Sequence, residues 1–181
     1  MSGRASELAA NIFRPAYSAV FADNRLVTCA AFDPVDLLTP EWAWGGSEGE
    51  GVKVAGGGGG IEAGHPHADV GPVNGYVAIT EGEDLRFVYD TNPHDDSFGH
   101  GTACAGIIRS LAPRCELYSV KGLGSANKGK GGVFAAGIRW AIDNGMHVCN
   151  LSLGTTKRDC FSIFHELVDE AYFKNVILVT A

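Results

Sequence analysis

Past residue 115 the chain alternates short, nearly continuous apolar runs with helical patterns, and few folds accept that alternation. Glu116-Leu117-Tyr118-Ser119-Val120-Lys121, Met146-His147-Val148-Cys149-Asn150-Leu151 and Asn175-Val176-Ile177-Leu178-Val179-Thr180-Ala181 read as strands. Between the first two, Phe134, Ile138 and Ile142 recur every four residues, as do Val133, Gly137 and Ala141. That spacing predicts an amphipathic helix, stopped by Asn144-Gly145. Phe161, Phe164, Val168 and Tyr172 mark another helix before the last strand. Strands without polar alternation are buried on both faces, and helical crossovers between them make the sheet parallel. The expectation is an α/β fold: three layers, a mostly parallel sheet with helices on both faces, incomplete at the C-terminus. Such a sheet puts its site at the carboxyl ends of the strands.

Upstream signals are shorter. Gly51 to Ala55, Tyr76 to Ile79 and Leu85 to Tyr89 are strand candidates. The first runs into Gly56 to Gly60, which is odd because glycine weakens a strand interior. Thr39-Pro40-Glu41-Trp42-Ala43-Trp44 reads as a helical turn with Thr39 as cap and Pro40 at the first position, ended by Gly45-Gly46. Residues 1–40 read as an N-terminal extension, with a short helix over Ser6 to Phe13 and a strand over Leu26 to Phe32; residues 41–181 form the main domain.

Composition removes several function classes. A net charge of −7 argues against nucleic acid or an anionic membrane as partner. No apolar run approaches the roughly 20 residues of a membrane span. The first thirty residues show no apolar leader segment, which points to a cytoplasmic protein. The five cysteines include no C-x-x-C pair, so they read as reduced, buried thiols.

One histidine stands apart. His100 sits between Gly99 and Gly101, follows the acidic pair Asp95-Asp96, and opens a run of small residues leading to Gly106. Glycines on both sides let another backbone or a substrate approach the imidazole. His65, His67 and His94 match no zinc spacing and read as loop histidines, so no metal site is expected. Gly56 to Gly60 lacks a P-loop lysine, which leaves a dinucleotide site only as a lesser alternative. Cys104 and Cys149 read as core fillers, and the helix is expected to point Cys104 away from His100.

Three blocks in order carry a family resemblance. They are Val52-Lys53-Val54-Ala55, five glycines and Ile61-Glu62-Ala63-Gly64-His65-Pro66; Gly99-His100-Gly101-Thr102-Ala103-Cys104-Ala105-Gly106; and Asn150-Leu151-Ser152-Leu153-Gly154 after the helix with Gly137-Ile138-Arg139-Trp140-Ala141. Over roughly residues 40–181 the chain resembles the subtilisin-like serine proteases. The resemblance implies a serine endopeptidase fold in which His100 is the general base. It implies that the backbone of Ser152, Leu153 and Gly154 pairs with an extended peptide or protein substrate. It implies that the loop with Asn127 and Gly129 forms the opposite wall of that groove. It identifies no cofactor and leaves calcium open.

The departures matter as much. The position of the carboxylate that should orient the imidazole is occupied by Gly58, and neither Glu62 nor Asp69 is in register to replace it. The oxyanion asparagine and the nucleophilic Gly-Thr-Ser block are expected beyond Val179-Thr180-Ala181, and none of these 181 residues supplies them. In subtilisin itself, losing the aspartate lowers kcat about 3 × 10⁴-fold and losing the serine or histidine about 2 × 10⁶-fold. Residues 1–181 are therefore expected to be inactive alone, with a non-catalytic peptide-binding or pseudoprotease domain as the alternative.

Overall fold

The structure is a computed structural model that describes residues 39–124, 129–152, 154 and 158–180. The helix expected over 6–13 and the strand over 26–32 lie outside the described residues. The chain divides into two compact units, Met1–Gly46 and Ser47–Ala181, each described by itself. In the first, helix α1 spans Pro40–Trp44. The Thr39 hydroxyl accepts from the Trp42 N–H at 3.2 Å, and Gly45 ends the turn at φ 56°. Both capping signals read from the sequence are used as expected.

The second unit is one six-stranded sheet. Its elements in chain order are β1 (Lys53–Gly58), β2 (Gly75–Glu81), β3 (Phe87–Asp90), α2 (His100–Leu111), β4 (Glu116–Lys121), α3 (Gly131–Asp143), β5 (Val148–Leu151), a 3₁₀ turn (Arg158–Cys160), α4 (Phe161–Phe173) and β6 (Ile177–Thr180). Across the sheet the strands run β3-β2-β4-β1-β5-β6. All pairings are parallel except β2 with β3, whose short hairpin cannot make a crossover. The three-layer, mostly parallel expectation holds. β6 borders the described sheet, with Ile177 62% and Val179 46% exposed.

Two cores flank the sheet. On one face Val54, Ile61, Val70, Ala105, Cys115 and Leu117 pack under α2. On the other, Ala55, Val77, Ile79, Val120 and Leu151 meet the apolar stripes of α3 and α4, among them Ile138, Ala141, Ile142 and Leu167. Neighbours Val54 and Ala55 face opposite cores, as the two-residue period of a strand requires. Arg139 of α3 also pairs with Glu170 of α4.

Strand β1 does not stop at Ala55. It continues to Gly58 because both neighbours hold it, with Gly57 opposite Val120 on one side and Leu151 on the other. A full ladder on two edges overrides the poor strand propensity of glycine. Neighbouring side chains have closed over the bare backbone. A Cβ on Gly56 would lie 3.0 Å from Ile61 Cδ1, and one on Gly57 would lie 3.0 Å from Leu151 Cδ2.

Candidate active site

The carboxyl end of β1 is the centre of the site. The Gly58 carbonyl accepts from the N–H groups of Gly122 (2.9 Å) and Leu123 (3.1 Å), which follow β4. On the other flank β5 ends at Leu151, and Ser152 continues it, half-buried. The strands on each side of β1 thus end level with it, Lys121 opposite Gly58 and Leu151 opposite Gly57. Gly58 is buried, yet a Cβ placed there would meet nothing within 4 Å, so there is open space at the carboxyl end of β1.

Helix α2 begins at this end with His100, whose side is exposed. Its start is fixed by two glycine requirements. Gly99, at the N-cap, holds φ at 91°, a left-handed conformation that a side chain strains. Gly101 lies against the Gly60 carbonyl so closely that any Cβ would strike it. The glycines flanking the imidazole therefore serve the turn and the approach of a second backbone.

Side chains complete the anchoring. Asp96 Oδ1 accepts from the Phe98 N–H at 3.0 Å, an Asx turn, while Oδ2 accepts from the Thr102 N–H at 2.8 Å and the Thr102 hydroxyl at 2.9 Å. Burial pushes this carboxyl up, but hydrogen bonds from the Thr102, Phe98 and Gly99 backbone and the Thr102 hydroxyl outweigh it and hold it below the usual aspartate value. The Thr102 hydroxyl, buried, in turn accepts from the Glu62 N–H at 3.0 Å, tying α2 to the turn after β1. The loop before α2 is also pinned to β4. Lys121 Nζ donates to the Asp95 carbonyl (2.7 Å) and to Ser97 Oγ (3.1 Å), and His94 Nε2 lies 2.8 Å from the buried Ser119 hydroxyl with its ring edge-on to Tyr76.

Cys104 is where the sequence reading fails. It was expected to point away from His100, but residues four apart share a helix face. Cys104 Sγ lies 3.8 Å from His100 Nε2 and donates to Ser152 Oγ at 3.5 Å, and Asn150 Nδ2 donates to the same hydroxyl at 3.0 Å. It is half-buried, whereas Cys149 is a core filler as expected, its thiol pushed up to about 12 by burial. So the structure brings His100 and Ser152 together through Cys104. Gly154 is exposed, and Gly129 packs against the Gly122 carbonyl, 2.6 Å from where its Cβ would be. Leu153 and Asn127 lie outside the described residues. Glu62 offers its backbone to α2, and Asp69 lines an open groove with His65 and His67, so neither stands in for a carboxylate at 58. Among the described residues no three His, Cys, Asp or Glu side chains group to hold a metal ion.

The sequence reading gave no role to Asp96, His94, Lys121 or Thr102. An aspartate two residues before an N–H it can bond was the one local signal available, and it marked Asp96.

The Subtilase family model matches residues 49–181. The chain belongs to the subtilase family. This subtilase is 35% identical over 149 residues to Minor extracellular protease Epr of Bacillus subtilis (strain 168), covering 77% of this chain and 21% of that protein. It is 36% identical over 145 residues to Subtilisin Savinase of Lederbergia lenta, covering 75% of this chain and 49% of the relative. It is 34% identical over 179 residues to an Alkaline protease of Alkalihalobacillus alcalophilus, covering 92% and 43%. The subtilase thus spans less than half the length of each of these relatives. Its fold matches a crystal structure of a cold adapted subtilisin-like serine proteinase with TM-score 0.56 and 21% identity, over 75% of this chain and 47% of the other. Among the described residues no helix is long and apolar enough to cross a membrane.

Proposed function

We propose that this chain carries the general-base and substrate-strand half of a serine endopeptidase site, and that residues 1–181 alone do not hydrolyse peptide bonds. The observation that carries this is the arrangement at the end of β1. β4 and β5 flank β1 and end level with it, Lys121 opposite Gly58 and Leu151 opposite Gly57, so the segments leaving them start two strand spacings apart, about 10 Å. That gap is the width of one extended strand able to pair with both sides. A peptide lying there would run beside Ser152 and Gly154 on one flank and Gly129 on the other, within reach of His100.

In this reading His100 takes the proton from a nucleophilic serine, and the strand walls hold the scissile peptide extended. Gly58 offers no carboxylate to set the imidazole tautomer or stabilise its charged form. Peptide or protein substrates, rather than nucleic acid or membrane, suit the acidic chain and the strand-wide gap. A non-catalytic peptide-binding role rests on the same gap, which needs none of the missing groups.

The test is turnover of a generic chromogenic peptide by purified residues 1–181. No hydrolysis above a heat-denatured sample is expected, together with weak peptide binding that Gly129→Trp reduces. Turnover that disappears in His100→Ala would overturn the inactivity, and unaltered binding in Gly129→Trp would overturn the groove.

A further inference from the structure

The described sheet has a second edge. β3 lies at the end opposite β6 and pairs with β2 alone, and Phe87, Val88, Tyr89 and Asp90 are all exposed. The backbone bonds show which groups face out. The Gly82 N–H donates to the Arg86 carbonyl at 2.8 Å, one step beyond the ladder that sets Glu81 opposite Phe87. Antiparallel pairs alternate between bonded and non-bonded. Arg86, Val88 and Asp90 therefore turn their backbone groups toward β2, while Phe87 and Tyr89 turn theirs outward. Free edges are commonly blunted by charges that repel a copy of the same strand. Here the charges do the reverse. Arg86-Phe87-Val88-Tyr89-Asp90 carries opposite charges at its ends and an aromatic residue on each side of Val88, so it complements itself when reversed.

We propose that β3 pairs with β3 of a second copy, antiparallel and centred on Val88, joining the two sheets across a twofold axis. In that register Phe87 lies opposite Tyr89 of the second copy. Both turn N–H and C=O outward, so the two exchange both bonds, and symmetry repeats the exchange on the other side of the axis. Val88 meets Val88 as a non-bonded pair. Arg86 falls opposite Asp90 of the second copy, also a non-bonded pair, where facing side chains come closest. Moving the register by one residue sets inward backbone groups against outward ones. Moving it by two keeps the bonds but puts Arg86 opposite Val88 or Asn92. The Val88-centred register alone satisfies backbone and charge together. Local contacts compete little: Arg86 Nε lies 3.3 Å from Asp84 Oδ2 in an exposed pair, and Asn92 bonds Oδ1 of Asp90, leaving Oδ2 to a guanidinium. The pairing uses nothing at the His100 site, so it stands apart from the endopeptidase reading.

The test is sedimentation velocity of the full chain over a range of concentrations at low salt. A concentration-dependent dimer is expected. Arg86→Asp and Asp90→Arg each set like charges opposite one another, and each is expected to weaken self-association about tenfold. Mixed in equal amounts, the two variants regain opposite charges at both ends, and a dimer of native strength is expected. Tyr89→Pro removes an outward N–H without touching the bonds to β2, so it is expected to abolish the dimer while thermal unfolding followed by circular dichroism stays near that of the native chain. It is the deciding variant where Asp90→Arg disturbs the Asn92 turn. A native chain that stays monomeric, a dimer indifferent to Tyr89→Pro, or a mixture of the two folded charge variants no stronger than either alone would overturn the pairing.

Discussion

The two sides of the His100 site are built from different materials. On the imidazole side, side chains do the fixing: Asp96, Thr102, Lys121 and His94 each bond across at least two residues, and three of them reach another element. On the opposite side, the end of β1 is backbone alone, held by its ladders and by the Gly58 carbonyl. An imidazole can thus be held in place independently of the strand end beside it. With glycine at position 58 the bonds that hold the loop and helix presenting His100 are all made by other residues.

The contrast can be broken where the two sides touch. Gly101→Ala drives a Cβ into the Gly60 carbonyl, and neither backbone can yield without giving up a bonded turn. A loss of about 3 kcal/mol is expected in urea unfolding, at the upper end for overpacking. Thr102→Ala comes next. It strips a hydroxyl from Asp96 and leaves the Glu62 N–H without its acceptor, so about 2 kcal/mol is expected in the same measurement.

A smaller effect should appear on acidification. Burial, then Lys121, holds the His94 imidazole below its ordinary 6.5, against weaker pulls from the Asn92 backbone, Asp90 and Asp95. The folded chain therefore binds this proton less readily than the unfolded one. Stability from His94 is complete above pH 6.5 and falls as pH drops toward the lower folded value. Asp96 has the same sign in a lower window: its contribution is complete above the ordinary 3.8 and is lost as pH falls through its depressed folded value. Urea midpoints followed from pH 8 to pH 3 should decline in two stages, and His94→Phe should flatten the first while leaving the second.

The last test sharpens the comparison without breaking it. Gly58→Asp should fold, because nothing lies within 4 Å of the new Cβ. If residue 58 faces the imidazole, the His100 ring-proton signals should differ between the variant and the native chain while those of His147 stay unchanged. Unmoved His100 signals would show that residue 58 is out of register with the imidazole.

Much of the scaffold was legible in the residues. The apolar runs at 116–121, 146–151 and 175–181 mark buried parallel strands, and the four-residue recurrences in α3 and α4 mark their covers, because pattern alone decides both. His100 was singled out by its block, and the structure places it at the start of α2. Less visible was whatever depends on the chain returning to itself. His94 and Ser119 are 25 residues apart, and no local rule joins them. The persistence of β1 through three glycines runs against propensity and follows only from pairing on both edges. Cys104 is different: its four-residue offset from His100 was in plain view, and helix geometry alone should have placed the two together.

The empty place above Gly58 has a consequence for heredity. A glycine codon becomes an aspartate codon by one base change when its third base is a pyrimidine. The surrounding backbone would meet that residue with no collision to relieve and no loop to rebuild. A chain of this kind stands a single mutational step from placing a carboxylate at that strand end.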